Sequence, residues 1–164
     1  MKYDFAGYAT KSGVLVKKDN RIISKDCFEH QDGLTLPLVY QHMRNDVNNI
    51  IGKATLEHRE DGTYVYASFN DSANGQNAKA AVKHGDIDSM SISAVNLVQS
   101  EQNGHVIVEH GDIREVSLVI AGANPGAKID TIMIEHSDGS TTELDEAIIW
   151  SDDKFELDVE TEVE

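Results

Sequence analysis

Apolar and polar residues alternate over short stretches of this chain, the spacing expected where one face of a β-strand is buried. Strand-like composition marks Tyr3–Thr10, Leu34–Gln41, Ile50–Glu57, Thr63–Phe69, Ile87–Val98, Val106–Glu109 and Ile113–Ala121. Two joins read as hairpins: Glu60-Asp61-Gly62 after the third segment and Glu101-Gln102-Asn103-Gly104 after the fifth. One stretch breaks the period of two. Asn74 to His84 is filled with helix formers and is followed by Gly85, where a helix C-cap belongs. Ser72 or Asn74 supplies its N-cap. Ala123-Asn124-Pro125-Gly126-Ala127 is a loop signal after the last core strand. Beyond it, Ile129–Glu135 and Glu143–Trp150 alternate enough for a terminal hairpin turning at Ser137-Asp138-Gly139-Ser140.

The 164 residues are 40% hydrophobic, enough for one domain with its own core. The longest apolar stretch, Val116–Ala121, is far too short to span a bilayer, so no membrane association is expected. Met1-Lys2-Tyr3-Asp4-Phe5 lacks the layout of a secretory signal, and the single Cys27 cannot form an internal disulfide. A soluble, intracellular protein is expected. Charge then divides the chain. After Ile134, 12 acidic residues face one basic residue, Lys154, so this stretch carries −11 of the total −15. The expected division is a β-rich body over residues 1–134 and an acidic hairpin and tail over 135–164, the last dozen residues being too polar to bury themselves. Neither part has the basic footprint that phosphate backbones require, and nucleic acid is not an expected partner.

Seven histidines raise the question of a metal. None stands in a His-Glu-x-x-His pair or at a spacing that aligns two imidazoles on a helix face, so no metal or other cofactor is expected. His42 differs from the others because it ends the apolar run Leu34 to Gln41. A histidine held at the mouth of a buried strand is suited to general-base work, although a residue that simply ends a strand is the plainer reading. In Asp86 to Ala94, alternation places Ile87, Ser89, Ser91 and Ser93 on one face and Asp88, Met90, Ile92 and Ala94 on the other. Small hydroxyls in a row give a peptide carbonyl room to approach, and they would equally suit a solvated strand face. Glu115 shares a face with Ser117 and Val119 in an otherwise apolar strand. A carboxylate there needs a partner: a histidine ring nitrogen, or a base such as Arg114.

These segments, in this order, resemble the prohead proteases of tailed bacteriophages. Ile51-Gly52-Lys53-Ala54 follows the histidine segment, and Asp86-Ile87-Asp88-Ser89-Met90-Ser91-Ile92 resembles the family's serine strand. Arg114-Glu115-Val116-Ser117-Leu118-Val119 leading into Ala123-Asn124-Pro125-Gly126-Ala127 is the most specific part. The resemblance runs from Tyr3 to Lys128 and implies a mainly β (α+β) β-barrel serine protease fold similar to the herpesvirus assemblin. It implies Ser91 as nucleophile, His42 as general base and Glu115 as the third catalytic member, with Asp112 a weaker candidate for that place. Where the family often has glycine and an aromatic residue after Ser-Ile, this chain has Ser93-Ala94, which makes Ser93 a rival nucleophile.

The activity so implied is a serine endopeptidase that cleaves scaffold and capsid-protein extensions, and itself, during phage head maturation. Its partners would be the phage scaffold protein and major capsid protein, met inside the assembling procapsid in the cytoplasm of the infected host, with a homo-oligomer possible. The acidic tail would begin a scaffold or targeting segment. The rival reading is a scaffold or capsid-internal binding module that keeps the fold without catalysis.

Overall fold

The computed structural model describes residues 2–17, 20–120, 126–135, 141–145 and 160–162. In chain order they form β1 (Phe5–Lys11), β2 (Leu15–Val16), β3 (Arg21–Ile23), β4 (Thr35–Tyr40), β5 (Ile50–Arg59) and β6 (Gly62–Phe69). Then follow helix α1 (Ala73–His84), β7 (Ser89–Gln102), β8 (His105–Val119), β9 (Ile129–Glu135), β10 (Thr141–Asp145) and β11 (Glu160–Glu162). The strands make one curled half-barrel sheet in the order β10-β9-β1-β6-β5-β4-β8-β3-β2, with β7 paired to β8 and β11. This is the mainly β fold expected from the sequence.

Local chemistry explains the hairpins and the helix. Arg59 pairs with Gly62, so Glu60 and Asp61 alone make the β5–β6 turn. Gln102 pairs with His105 across Asn103 and Gly104, both at positive φ (52° and 79°), the backbone that a tight two-residue hairpin requires. Helix α1 starts where the Ser72 hydroxyl accepts the Gly75 amide at 3.0 Å and stops at Gly85 in the left-handed region (φ 85°). Its Ala78 and Val82 are buried in a core shared with Phe5, Leu38, Ile51, Met90, Ile92, Val116 and Leu118.

The long β8 is the spine that positions everything else. Its first part pairs in parallel with β3, its last part pairs in parallel with β4, and β7 runs antiparallel along nearly all of it. Composition suggests two strands here, Val106–Glu109 and Ile113–Ala121, but the strand is continuous. Gly111 does not break it: a Cβ there would come within 2.7 Å of Leu97 and 3.2 Å of Phe28, so close packing selects the glycine. β7 likewise extends to Gln102 rather than ending at Val98. β2 and β3, of two and three residues, are too short for periodicity to reveal.

The terminal hairpin pairs β9 with β10, and β10 starts at Thr141, two residues before the expected Glu143. Its turn, at 136–140, and residues 146–150 lie outside the described residues. Of the tail, 153–159 and 163–164 also lie outside them, whereas Glu160–Glu162 pairs in parallel with Ser93–Val95.

Candidate active site

His42 lies two residues past the end of β4, in a turn the sequence does not advertise. The Met43 amide donates to the Tyr40 carbonyl at 3.1 Å, and both central residues, Gln41 and His42, have positive φ (51° and 59°). Residues with a Cβ occupy that region at a cost of about 1–2 kcal/mol each, so surrounding contacts must hold the turn. They do: the Gln41 amide donates to the Leu118 carbonyl at 3.0 Å and the His42 amide donates to Ser117 Oγ at 3.1 Å. The imidazole is thus fixed to the end of β8 by its own backbone.

The sheet register supplies the rest. Ser91 of β7 stands opposite Ser117 of β8, and Ser93 stands opposite Glu115. The four side chains share one face, and His42 reaches across it. Its Nε2 lies 3.0 Å from Ser91 Oγ and its Nδ1 2.8 Å from Glu115 Oε1. The imidazole is 5% exposed and the Glu115 side chain 2%. His42 thus touches both other residues named by the resemblance, Ser91 and Glu115, which lie 49 and 73 positions from it in sequence.

A buried carboxylate is costly unless its oxygens are satisfied. Glu115 Oε2 accepts from the Ser117 hydroxyl at 2.7 Å, and Oε1 accepts from Arg44 Nη1 at 3.3 Å besides facing His42. The arginine partner is thus Arg44, not the neighbouring Arg114 that the sequence suggests. Arg44 also donates to Ser93 Oγ at 3.0 Å. Neither Arg44 nor Ser117 stands out from sequence as a site residue. Ser117 shares the Glu115 face by alternation and could have been found; nothing local marks Arg44.

The hydroxyl row on β7 is not a solvated face. Ser89, Ser91 and Ser93 are 0%, 4% and 0% exposed. Ser89 accepts from the buried Lys128 Nζ at 2.9 Å, and Ser93 is the acceptor of Arg44, which leaves Ser91 as the hydroxyl aimed at the imidazole. Asp112 lies further back along β8, where its carboxylate meets His30 at 2.7 Å and Asn96 at 3.0 Å. Residues 121–125, the loop that leads into Gly126, lie outside the described residues. The arrangement can therefore move a proton from Ser91 to an oriented imidazole, which is the requirement for a nucleophilic hydroxyl.

Two side-chain groups among the described residues, His30 with His110 and Asp112, and Asp26 with Glu29 and His58, bring ligand atoms close enough for a metal ion. Neither includes His42, Ser91 or Glu115.

The family described as Caudovirus prohead serine protease matches residues 2–142. Among solved structures, the chain is similar to the KSHV protease crystallised with a hexapeptide phosphonate inhibitor, with a TM-score of 0.52 and 12% identity. That alignment covers 76% of this chain and 62% of the KSHV protease chain, less than two thirds of the latter. At this identity the likeness is one of fold. No curated protein matches the sequence.

Proposed function

The chain belongs to the family of caudovirus prohead serine proteases, and from that premise we propose that Ser91 is its nucleophile, His42 its general base and Glu115 the group that orients the base. The observation that carries this reading is the continuous contact from Ser91 Oγ through both ring nitrogens of His42 to Glu115. Glu115, as a carboxylate, accepts the Nδ1 proton, which leaves Nε2 without one and ready to accept from Ser91. As Oγ attacks a peptide carbonyl, its proton passes to Nε2, and the imidazolium is stabilised by Glu115. The C–N bond then breaks, Nε2 returns the proton to the leaving amine, and the acyl group stays on Oγ. A water molecule repeats the sequence to release the acid and restore Ser91.

Arg44 and Ser117 act as positioning residues, holding the carboxylate to which His42 is tied. Membership of the family supports action on capsid-assembly proteins within the assembling phage capsid. The substrates proposed are the scaffold protein and the extensions of the major capsid protein, with the chain itself as a further substrate in the shell, where high effective concentration favours cleavage.

The test is intact-mass analysis of the purified chain incubated with its scaffold and major capsid proteins, beside a Ser91→Ala variant. Discrete fragments with the parent and none with Ser91→Ala support the assignment. Identical fragments from both would move the nucleophile elsewhere. No cleavage by either, with all proteins folded and bound, would favour a binding module that retains the fold.

A further inference from the structure

We propose that His30, His110 and Asp112 form a binding site for a divalent transition-metal ion of the zinc class, a clip that ties the Glu29–Gln31 turn to β8. The ligand atoms of the three side chains lie within 4.8 Å of one another. His30 Nε2 stands 2.7 Å and His110 Nε2 4.0 Å from Asp112 Oδ1, and the two imidazole rings stack with centroids 4.3 Å apart. Ligand atoms around a tetrahedral zinc, with bonds of about 2.0–2.1 Å, lie roughly 3.3 Å apart. The two observed separations bracket that value, and rotation of the stacked rings about their side-chain bonds would turn both Nε2 lone pairs towards one ion. Two imidazoles and one carboxylate suit zinc, cobalt or nickel rather than magnesium or calcium, which prefer all-oxygen sites.

Three features show that the group is built rather than merely adjacent. His110 and Asp112 flank Gly111 on β8, and the packing of Gly111 against Leu97 and Phe28 turns both ligands to the opposite face. Gln31, next to His30, is buried and clamps both polar backbone groups of Ile113, donating to its carbonyl at 2.8 Å and accepting its amide at 2.7 Å. His30 is thereby set in register with Asp112. Asn96 sits with positive φ (56°) where the pairing of β7 is irregular between Val95 and Val98, and its side chain holds Asp112 Oδ2 at 3.0 Å. That is the outer-shell contact a ligating carboxylate needs.

A metal ion would take the place of the proton shared by His30 Nε2 and Asp112 Oδ1, that proton passing to Nδ1 or to solvent. The clip would then join residues 82 positions apart and favour the folded chain by mass action. None of its ligands belongs to the Ser91 site, so this inference and the proposed function stand or fall separately.

The experiment is calorimetric titration of Zn²⁺ into the metal-free full chain, paired with thermal melting and with the visible spectrum of the Co²⁺-loaded protein. The expected result is one tight equivalent, a raised Tm and Co²⁺ bands of a low-symmetry site with nitrogen ligands. His110→Ala and Asp112→Asn should each weaken that equivalent about tenfold or more, as losses of ligand contacts do. His58→Ala, in the neighbouring Asp26, Glu29 and His58 group, should leave it unchanged. Absence of saturable binding, or equal affinity in parent and His110→Ala, overturns the proposal, as does loss of the site in His58→Ala. Circular dichroism in chelator checks each fold, and His110→Gln is read in place of His110→Ala if the latter is unfolded. The strongly acidic composition makes these variants necessary, since weak, non-saturating uptake by surface carboxylates moves with none of them.

Discussion

The hydroxyl of Ser117 donates a 2.7 Å hydrogen bond to the buried carboxylate of Glu115. The same oxygen accepts the backbone amide of His42 at 3.1 Å, so one small side chain joins the carboxylate to the strained turn that carries the imidazole. Ser117→Ala removes both links and leaves the chain little changed in volume. Loss of one such bond at a buried charged group costs about 1.5–3 kcal/mol. The expected outcome is a fall in kcat of roughly tenfold to a hundredfold with KM nearly unchanged, read from steady-state cleavage of a scaffold-derived peptide. A fall in KM-side binding with kcat preserved would remove Ser117 from the positioning role.

Glu115→Gln separates orientation from nucleophilic attack. The amide keeps the shape but can present a donor to Nδ1, favouring the wrong imidazole tautomer. By comparison with other serine enzymes, the expected loss in kcat is about 10⁴-fold. Ser93→Ala removes only an acceptor of Arg44 and is expected to retain activity within about tenfold. Single-turnover rates for the two variants beside Ser91→Ala rank the three hydroxyl and carboxylate roles; a dead Ser93→Ala with an active Ser91→Ala would reverse them.

Gly52, in the Ile-Gly segment of β5, faces the neighbouring strand so closely that a Cβ would collide with the Ser68 backbone carbonyl. Backbone cannot give way as the end of a side chain can. Gly52→Ala is expected to lower stability by about 1–3 kcal/mol, the range of overpacked substitutions. Urea unfolding checks this, and a midpoint unchanged from the parent would show that the two strands can separate without loss.

Cys27 is fully buried, and desolvation, with a smaller contribution from the Asp112 charge, pushes its thiol up to about 12. The unfolded value is near 8.5. A raised folded value means that the stabilising difference is fully present below about pH 8.5 and is lost as pH rises towards 12. The native chain is expected to resist thiol reagents at neutral pH and to react with one equivalent once unfolded by urea. Rapid stoichiometric labelling of the native chain would place the thiol in a more open setting.

The sequence by itself carried whatever is encoded over a few neighbouring residues. Alternation placed β5 and β6, Asn103-Gly104 set a two-residue turn, and Ser72 with Gly85 bounded the helix. Each is dictated by local sterics or a hydrogen bond within one turn. The residues His42, Ser91 and Glu115 could likewise be named from their strands and the motif around them. What only the tertiary structure decided is which of them meet. The parallel pairing of β4 with β8 and the antiparallel pairing of β7 with β8 bring His42 to Ser91 and Glu115, and they draw in Arg44, whose own neighbours give no sign of it. The same holds for His30 and Asp112, joined through the buried Gln31 across 82 residues. Sheet register between distant strands is set by the burial of whole faces and by close contacts such as Gly111 against Leu97, quantities that belong to the packed molecule and not to any short stretch of its chain.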